Sequence, residues 1–290
     1  MIKKIFSFTF ILTLLIFSCS SDNDDNSSEV WEQKSEMLTN WADNFISPSY
    51  TTLTNKLVLL EESGNTFTNL PDQQNLDLLR ASFINAYMAW QHVEMFDIGL
   101  AEVNYYKSKM NIYPTTVSRI ELNIQNGNTD FNNSNNYSAQ GFPALDYLLY
   151  GINSSDELIL SKYNTEPQYL SYLSQVINQM LQNTSPIVED WQSYRNTFIS
   201  SVENTATSSV NKMTNDFIYY YEKGFRANKF GIPAGVFSGG ALPEKVEAFY
   251  NQNISKALAL ESFQAIKNFY NGNGGVSLRQ YISEVSTSEY

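Results

Sequence analysis

Apolar side chains recur at intervals of three and four positions along most of the chain. The clearest stripe follows Pro71 and consists of Leu76, Leu79, Phe83, Ala86 and Trp90. This spacing places side chains on one face of an α-helix, whereas the alternation typical of strands is scarce. The pattern therefore predicts amphipathic helices that bury one face.

Two later segments show the same helical spacing. The apolar positions of the second stripe are Val210, Met213, Phe217, Tyr220 and Gly224, and those of the third are Ala259, Phe263, Ile266 and Tyr270. The second stripe is followed by Lys223, Arg226 and Lys229, and cations near a helix C-terminus interact favourably with the helix dipole. Gly231 and Pro233 then predict the end of that helix.

Prolines suggest several helix boundaries. We expect a first helix over Trp31–Ile46, which Pro48 bends or restarts, because proline disturbs a helix interior. Residues Tyr169–Ile199 are expected to form two helices that meet near Pro186. A last helix is expected over Val276–Val285.

The fold class predicted from these stripes is all-α. Residues 126–136 hold six asparagines, which predicts a loop. The simplest architecture is a helical domain over residues 31–290, with one bundle at about 31–125 and a second at about 137–290.

The N-terminus has the features of an export signal. Lys3 and Lys4 precede the apolar run Ile5–Phe17, which is too short to span a bilayer well. The run ends beside Cys19 in a sequence that resembles a bacterial lipobox. Residues 1–18 are thus predicted to be a lipoprotein signal peptide, and Cys19 the site of lipidation; a plain secretory signal with a chance cysteine is the alternative.

Residues 19–30 are polar and acidic, so we expect a flexible tether. The segment resembles the acidic export signal of surface lipoproteins in Bacteroidota, although an ordinary spacer would have a similar composition. Together with Cys19 it predicts a lipid anchor in the outer membrane and exposure on the cell surface.

Composition narrows the classes of function. The chain of 290 residues has 18 Lys and Arg against 30 Asp and Glu, a net charge of -12, which disfavours binding to nucleic acid. One cysteine and one histidine, His92, leave few zinc or Ser-His constellations. His92 lies off the neighbouring stripe, where a surface or satisfied core residue is more common than a ligand.

One carboxylate interrupts an apolar face. The stripe through Trp90 continues four positions later to Glu94. A buried carboxylate needs a cation, a metal or hydrogen bonds, and Arg119 and Arg226 are candidate partners. The alternative is that the helix emerges into solvent after Trp90.

The segment Gly141–Gly151 is the most distinctive in the chain. Pro143 fits the first turn of a helix, Asp146 follows one turn later, and Gly151 is placed as a C-cap. The segment resembles the imelysin-like family, also called insulin-cleaving membrane protease-like, which carries Gly-x-His-x-x-Glu there. The stretches at 89–99 with 119–121, at 229–235 and at 243–250 support the resemblance, which spans Trp31 to the end.

The resemblance implies two four-helix-bundle subdomains with a site between them, and an association with iron uptake. With Glu94 aimed inward by its stripe, we expect a polar cleft formed by Glu94, Arg119, Asp146 and Glu247. The last three come from the resemblance. Glu247 could instead be a surface acid beside Glu244.

The departure from the family motif bears on activity. Pro143 stands at the family's histidine position and Asp146 at its glutamate position, and proline supplies no donor atom. The family's metal site, and with it peptidase chemistry, is therefore placed in doubt, and no catalytic residue is assigned.

Three functional hypotheses follow. The first is a non-catalytic surface lipoprotein that binds a ligand for iron or nutrient uptake. The second is a metallopeptidase that uses only carboxylates, namely Glu94, Asp146 and Glu247, which would suit iron or calcium better than zinc. The third is a structural subunit that docks to an outer-membrane transporter.

Overall fold

A computed structural model describes residues 24–127 and 129–288, and the described chain is built from helices joined by turns. The all-α prediction is confirmed. The signal peptide at 1–18 and Cys19 lie outside the described residues. Within them, no helix is both long and apolar enough to cross a bilayer.

The helices are numbered in chain order. The α-helices are α1 Asp24–Trp41, α2 Ser47–Asn69, α3 Gln73–Trp90, α4 Leu100–Val103, α5 Tyr106–Met110, α6 Val117–Asn126, α7 Gly141–Asp146, α8 Asp156–Thr165, α9 Pro167–Ser200, α10 Ser209–Tyr219, α11 Gln252–Asn271 and α12 Leu278–Ser288. Segments of π-helix span Ala42–Ile46, Tyr147–Gly151 and Tyr220–Gly231, and 3₁₀ turns span Ser134–Ala139, Pro243–Lys245 and Gly272–Gly274.

The first helix begins earlier than predicted. It starts at Asp24, within the 19–30 segment that was expected to be a tether, so that expectation is wrong from Asp24 onward. A new α-helix, α2, begins at Ser47 as the restart at Pro48 predicts, with Pro48 in its first turn, where a missing N–H is tolerated.

The prediction of two helices near Pro186 is also wrong. Helix α9 runs for 34 residues with Pro186 inside it. The buried positions Thr184, Ile187 and Trp191 continue the same face past the proline. We attribute the continuity to the packing of α9 along α2, which holds both halves in one line.

The helices do not group in sequence order. Helix α9 packs against α1 and α2, and α1 also contacts α10 and α12. Helix α11 packs against α3 and the π-helical segment Tyr220–Gly231. One continuous hydrophobic core runs from Met37 to Leu278. The contacts therefore do not follow the predicted division into bundles at 31–125 and 137–290, because apolar faces far apart in sequence cover one another.

The second stripe changes register inside its helix. Val210, Met213, Phe217 and Tyr220 are buried as their spacing predicts, but the next buried positions are Phe225 and Lys229. The π-helix adds about one residue per turn. It therefore turns Phe225 and Lys229 inward in place of Gly224, and the stripe ends on a buried cation.

The third stripe is rotated relative to the prediction. Leu258, Ser262 and Phe269 are fully buried, whereas Phe263 and Tyr270 lie at the edge, 43% and 37% exposed. Both edge rings still stack on neighbouring aromatic rings of the core. The face of α11 that points inward therefore carries a polar serine, a feature that hydropathy alone would not select.

Gly141 is required by a close contact at the start of α7. Its φ is +72°, and a Cβ there would lie 2.2 Å from the carbonyl oxygen of Met110. Gly127 has the same φ of +72°, but a Cβ added there would meet nothing within 4 Å. Comparing substitutions at Gly127 and Gly141 therefore separates the free-energy cost of the left-handed backbone from that of the steric collision.

We predict that Gly141→Ala lowers the free energy of unfolding by about 3 kcal/mol or more, since it combines a left-handed backbone with a collision against the main chain. Gly127→Ala should cost only about 1–2 kcal/mol. Urea unfolding followed by circular dichroism measures both. Equal costs for the two variants would contradict the close packing of α7 on α5.

Candidate functional site

A buried lysine forms the centre of the polar interior. The ammonium of Lys229 lies 2.7 Å from Oε1 of Gln91, 2.5 Å from Oε2 of Glu247 and 3.6 Å from Oε2 of Glu94. Its side chain is only 1% exposed. Two carboxylates and an amide oxygen thus surround a single cation inside the protein.

Neutral donors also hydrogen-bond to both carboxylates. Asn111 Nδ2 donates to Oε1 of Glu94 and to Oε1 of Glu247, each at 2.9 Å. The Tyr220 hydroxyl donates to Oε2 of Glu94 at 3.0 Å. Asn111 is itself oriented by the Tyr87 hydroxyl, which donates to its Oδ1 at 2.8 Å. We call this group the Lys229 cluster; it comprises Gln91, Glu94, Asn111, Tyr220, Lys229 and Glu247.

Four separate segments contribute to the Lys229 cluster. Gln91 and Glu94 lie in the turn after α3, and Asn111 is the residue after α5. Tyr220 and Lys229 come from the π-helical segment, and Glu247 follows the 3₁₀ turn at Pro243–Lys245. The cluster therefore joins four segments that are separate in the sequence.

The electrostatics favour a charged lysine. Burial by itself lowers the pKa of Lys229, but the attraction of Glu247 and Glu94 and their hydrogen bonds outweigh it, so the pKa lies above its ordinary value. Burial, with Glu94 nearby, raises the pKa of Tyr220 well above normal, which keeps its hydroxyl protonated as a donor. Charge-assisted hydrogen bonds of this kind compensate the desolvation of buried ions.

Asp146 is buried next to the Lys229 cluster and serves a different purpose. Its two carboxylate oxygens accept the backbone N–H groups of Tyr250 at 2.8 Å and Asn251 at 3.0 Å. Burial raises the pKa of Asp146 to about 7; the two backbone hydrogen bonds oppose the shift and the charge of Glu247 adds to it. Asp146 thereby fixes the segment that follows Glu247 onto α7.

The structure brings three of the four expected cleft residues near one another. Glu94 and Glu247 share Lys229 and Asn111, and Glu247 is 2% exposed, so it is not a surface acid. Arg119 does not join them. It lies on α6, partly exposed, and forms no ion pair with a described residue. The suggested partnership of Arg119 with Glu94 is therefore wrong.

The other residues considered from the sequence have local partners. Arg226 pairs with Glu222 on the exposed face of its own helix, so it does not neutralise Glu94. His92 Nε2 lies 2.6 Å from Oε1 of Glu261. Gly151 is no C-cap but makes room for a ring, since a Cβ there would lie 2.3 Å from Tyr250.

Sequence reasoning missed Lys229. In an α-helix, Lys229 would follow the stripe only at its outer edge, which is why its charge was assigned to the helix dipole. The sequence does carry a signal for this shift. Phe225 and Lys229 are four residues apart, as on one helical face, but each lies one position later than the stripe through Phe217 predicts. Only a π-helix accommodates that shift.

Two cavities of about 200 Å³ each flank the interior, and Tyr113 lines both. The first lies against Glu94 and opens near Lys223. The second is lined by Pro143 and Asp146. Tyr113 is therefore shared by the cavity beside the Lys229 cluster and the cavity beside the altered family motif.

The residues do not fit the metal site that the family motif implies. Pro143 has no donor atom, and both oxygens of Asp146 already accept backbone N–H groups. The ammonium of Lys229 takes the position between Glu94 and Glu247 that a cation would need. In the part of the chain that the structure describes, no three His, Cys, Asp or Glu side chains are grouped to hold a metal ion.

Comparisons with known proteins point to one family. The family model described as Imelysin, Peptidase_M75, matches residues 46–288. A structure from Parabacteroides distasonis ATCC 8503, provisionally named an iron-regulated protein A precursor, superposes with a TM-score of 0.69 at 17% identity, covering 83% of this chain and 74% of that one.

A second structure, an imelysin-like protein from Psychrobacter arcticum 273-4, superposes with a TM-score of 0.67 at 18% identity, covering 82% of this chain and 74% of that one. No curated protein matches the sequence. At these identities the two structures establish a shared helical fold.

We predict that Lys229→Met lowers the free energy of unfolding by about 3–5 kcal/mol, because it leaves Glu94 and Glu247 buried without their cation. Urea unfolding at pH 7 measures the loss. Adding Glu247→Gln to Lys229→Met should recover part of it, since one of the two uncompensated charges is removed.

The matched control is Arg226→Met, which breaks an exposed ion pair on the same helical segment and should leave stability nearly unchanged. If Lys229→Met were as mild as Arg226→Met, Lys229 would not be the counter-ion of the two buried carboxylates.

We predict an opposite pH response for two aspartates. Because the pKa of Asp146 rises from 3.8 to about 7 on folding, its stabilising effect is complete below pH 4 and is lost as the pH rises through 7. Relative to Asp146→Asn, the wild type should lose about 2–4 kcal/mol over that interval.

Asp156 provides the contrast, since its hydrogen bond to Arg80 holds its pKa below normal. Its contribution should be present at neutral pH and disappear as the pH falls below 4. Unfolding curves at pH 2.5, 4, 5.5, 7 and 8 for wild type, Asp146→Asn and Asp156→Asn test both signs. A flat difference for Asp146→Asn would show that Asp146 does not titrate in this range.

Proposed function

This chain belongs to the imelysin family, and we propose that it is a binding lipoprotein without peptidase activity that serves iron or nutrient uptake. The observation that carries the proposal is the ammonium of Lys229, which lies between Glu94 and Glu247 where a metal-dependent site would need an open position. Because Lys229 already occupies the position between the two carboxylates, this polar interior favours ligand binding over peptide hydrolysis.

The chemistry of hydrolysis supports the same choice. Peptide cleavage needs a metal-activated water, or a nucleophile beside a base. The carboxylates of Glu94 and Glu247 share the single ammonium of Lys229, and the carboxylate of Asp146 accepts backbone N–H groups. The carboxylate-only metallopeptidase is therefore the weaker hypothesis.

The link to iron rests on similarity of fold. One structural neighbour carries the provisional name iron-regulated protein A precursor, which describes that protein. Iron is accordingly the first nutrient to test for this chain.

The expected partner is an outer-membrane transporter. Residues 230–242 contain no charged side chain, and the loop exposes Val236 and Phe237 by 70% and 69%. Uncharged exposed apolar residues in an otherwise acidic protein favour a protein contact at this loop.

The direction of the helices favours a contact away from the anchor. Lys34 in the middle of α1 bonds to Val202 in the segment that precedes α10, whereas Trp41 and Phe217 both contact Phe269 farther along. Helices α1 and α10 therefore run in the same direction. A lipid on Cys19 would hold the start of α1 at the membrane, and the loop after Gly231 would lie at the opposite end.

We predict that Cys19→Ala releases the protein from membranes, because a lipid on that thiol would be its anchor. Fractionation of cells with a radiolabelled fatty acid measures both lipid and location, and Ser20→Ala serves as the control. Retention of Cys19→Ala in the membrane without label would contradict an anchor at this residue.

Growth of a deletion strain under iron chelation tests the physiological role. Wild type and the exposed-residue control Glu244→Gln should restore growth, while Cys19→Ala should restore it poorly because the protein would be misplaced. Normal growth of the deletion strain, with iron or with other limiting nutrients, would overturn the proposed function.

We predict that the purified protein binds no stoichiometric zinc and does not cleave unfolded proteins, since Pro143 replaces the nitrogen donor that a zinc site prefers. Elemental analysis and digestion of unfolded substrates measure the two properties. Cleavage that is abolished both by a chelator and by Asp146→Ala would instead establish a peptidase.

A further inference from the structure

The cavity beside Glu94 has the features of a small-molecule site. Its volume is about 200 Å³, comparable to that of roughly six or seven water molecules. Its lining includes one acid, Glu94, together with two lysines, two asparagine amides and tyrosine rings. The polar groups are distributed unevenly between its floor and its mouth.

The floor of the cavity carries a hydrogen-bond acceptor, the carboxylate of Glu94. Glu94 is 7% exposed, and its oxygens already accept from Asn111 and Tyr220. A carboxylate offers about four acceptor positions, so Glu94 retains capacity for another donor. Because Lys229 supplies one positive charge against the two carboxylates of Glu94 and Glu247, the floor keeps a net negative charge and suits a neutral or ammonium donor rather than a second anion.

The mouth is cationic. Lys223 is exposed on the π-helical segment and has no ion-pair partner among the described residues. Lys107 lies 3.4 Å from Asp97 and 5.5 Å from the ring of Tyr219. Two lysines beside an aromatic ring attract an anionic group that reaches the cavity from solvent.

Further donors along the wall have no protein partner. Neither the Tyr113 hydroxyl nor the Asn228 amide makes a side-chain hydrogen bond with a described residue. Burial raises the pKa of Tyr113 well above normal, so its hydroxyl remains a donor. The rings of Tyr113 and Tyr219 and the side chain of Ile112 form the apolar part of the wall.

We propose that this cavity binds a small organic acid that also carries a hydroxyl or amino group. Its carboxylate lies at Lys107 and Lys223, and its hydroxyl or amino group donates to Glu94. The inference rests on the proposed binding function and gives that function a ligand class. A bare metal cation would meet two ammonium groups at the mouth, and inorganic phosphate has no carbon body for the tyrosine wall.

Isothermal titration of the mature chain in detergent tests the proposal with five probes: L-malate, L-aspartate, succinate, inorganic phosphate and calcium. Malate and aspartate should bind, and succinate, which has carboxylates but no donor, should bind about tenfold more weakly because Glu94 would remain unmatched. Binding of phosphate or calcium in preference to malate and aspartate would overturn the ligand class.

Variants locate the site. Lys223→Gln should weaken binding of the better probe about tenfold, and Tyr113→Phe should weaken it several-fold. Lys267→Gln, at an exposed lysine of α11 outside the cavity, should leave it unchanged. Unchanged melting temperatures would show that the variants fold. Equal affinities for Lys223→Gln and Lys267→Gln, or no binding of either hydroxy or amino acid at millimolar concentration, would refute the site.

The growth assay separates this inference from the proposed function. If Lys223→Gln restores growth fully under iron chelation and malate and aspartate do not bind, the uptake role stands and the cavity assignment fails. If both acids bind as expected but the deletion strain grows normally, the cavity is correct and the uptake role is wrong.

Discussion

The buried ion pairs of Lys229 are the constraint on which the rest of the interior depends. One ammonium holds Glu94 from the turn after α3 and Glu247 from the segment before α11. Removing charges from water is costly, so such a cluster persists only where every partner is in place. Its geometry therefore dictates where the turn after α3, the π-helical segment and the stretch before α11 must meet.

The π-helix is the local device that makes this meeting possible. Phe217 and Tyr220 point into the core on ordinary helical spacing, and the wider turn then brings Phe225 and Lys229 to the same face. A regular α-helix would have placed Gly224 inward and left the lysine toward solvent. Helical turns of the π type are rare, and they are frequent at functional sites.

The altered family motif has become part of the scaffold. Asp146 uses both oxygens to hold the backbone of Tyr250 and Asn251, which positions the segment carrying Glu247. Pro143 lines a cavity without contributing a donor. Tyr113 lines both the cavity beside Glu94 and the cavity beside Asp146.

The sequence alone determined the fold class and the burial of single stripes such as Leu76 to Trp90, because 3.6-residue periodicity is local and survives without knowledge of partners. It also aimed Glu94 inward. Only the tertiary structure decided that Lys229 rather than Arg119 neutralises Glu94, that α9 passes straight through Pro186, and that the helices interleave. Those outcomes depend on contacts between residues far apart in the chain and on a one-residue change of helical register, neither of which local spacing records.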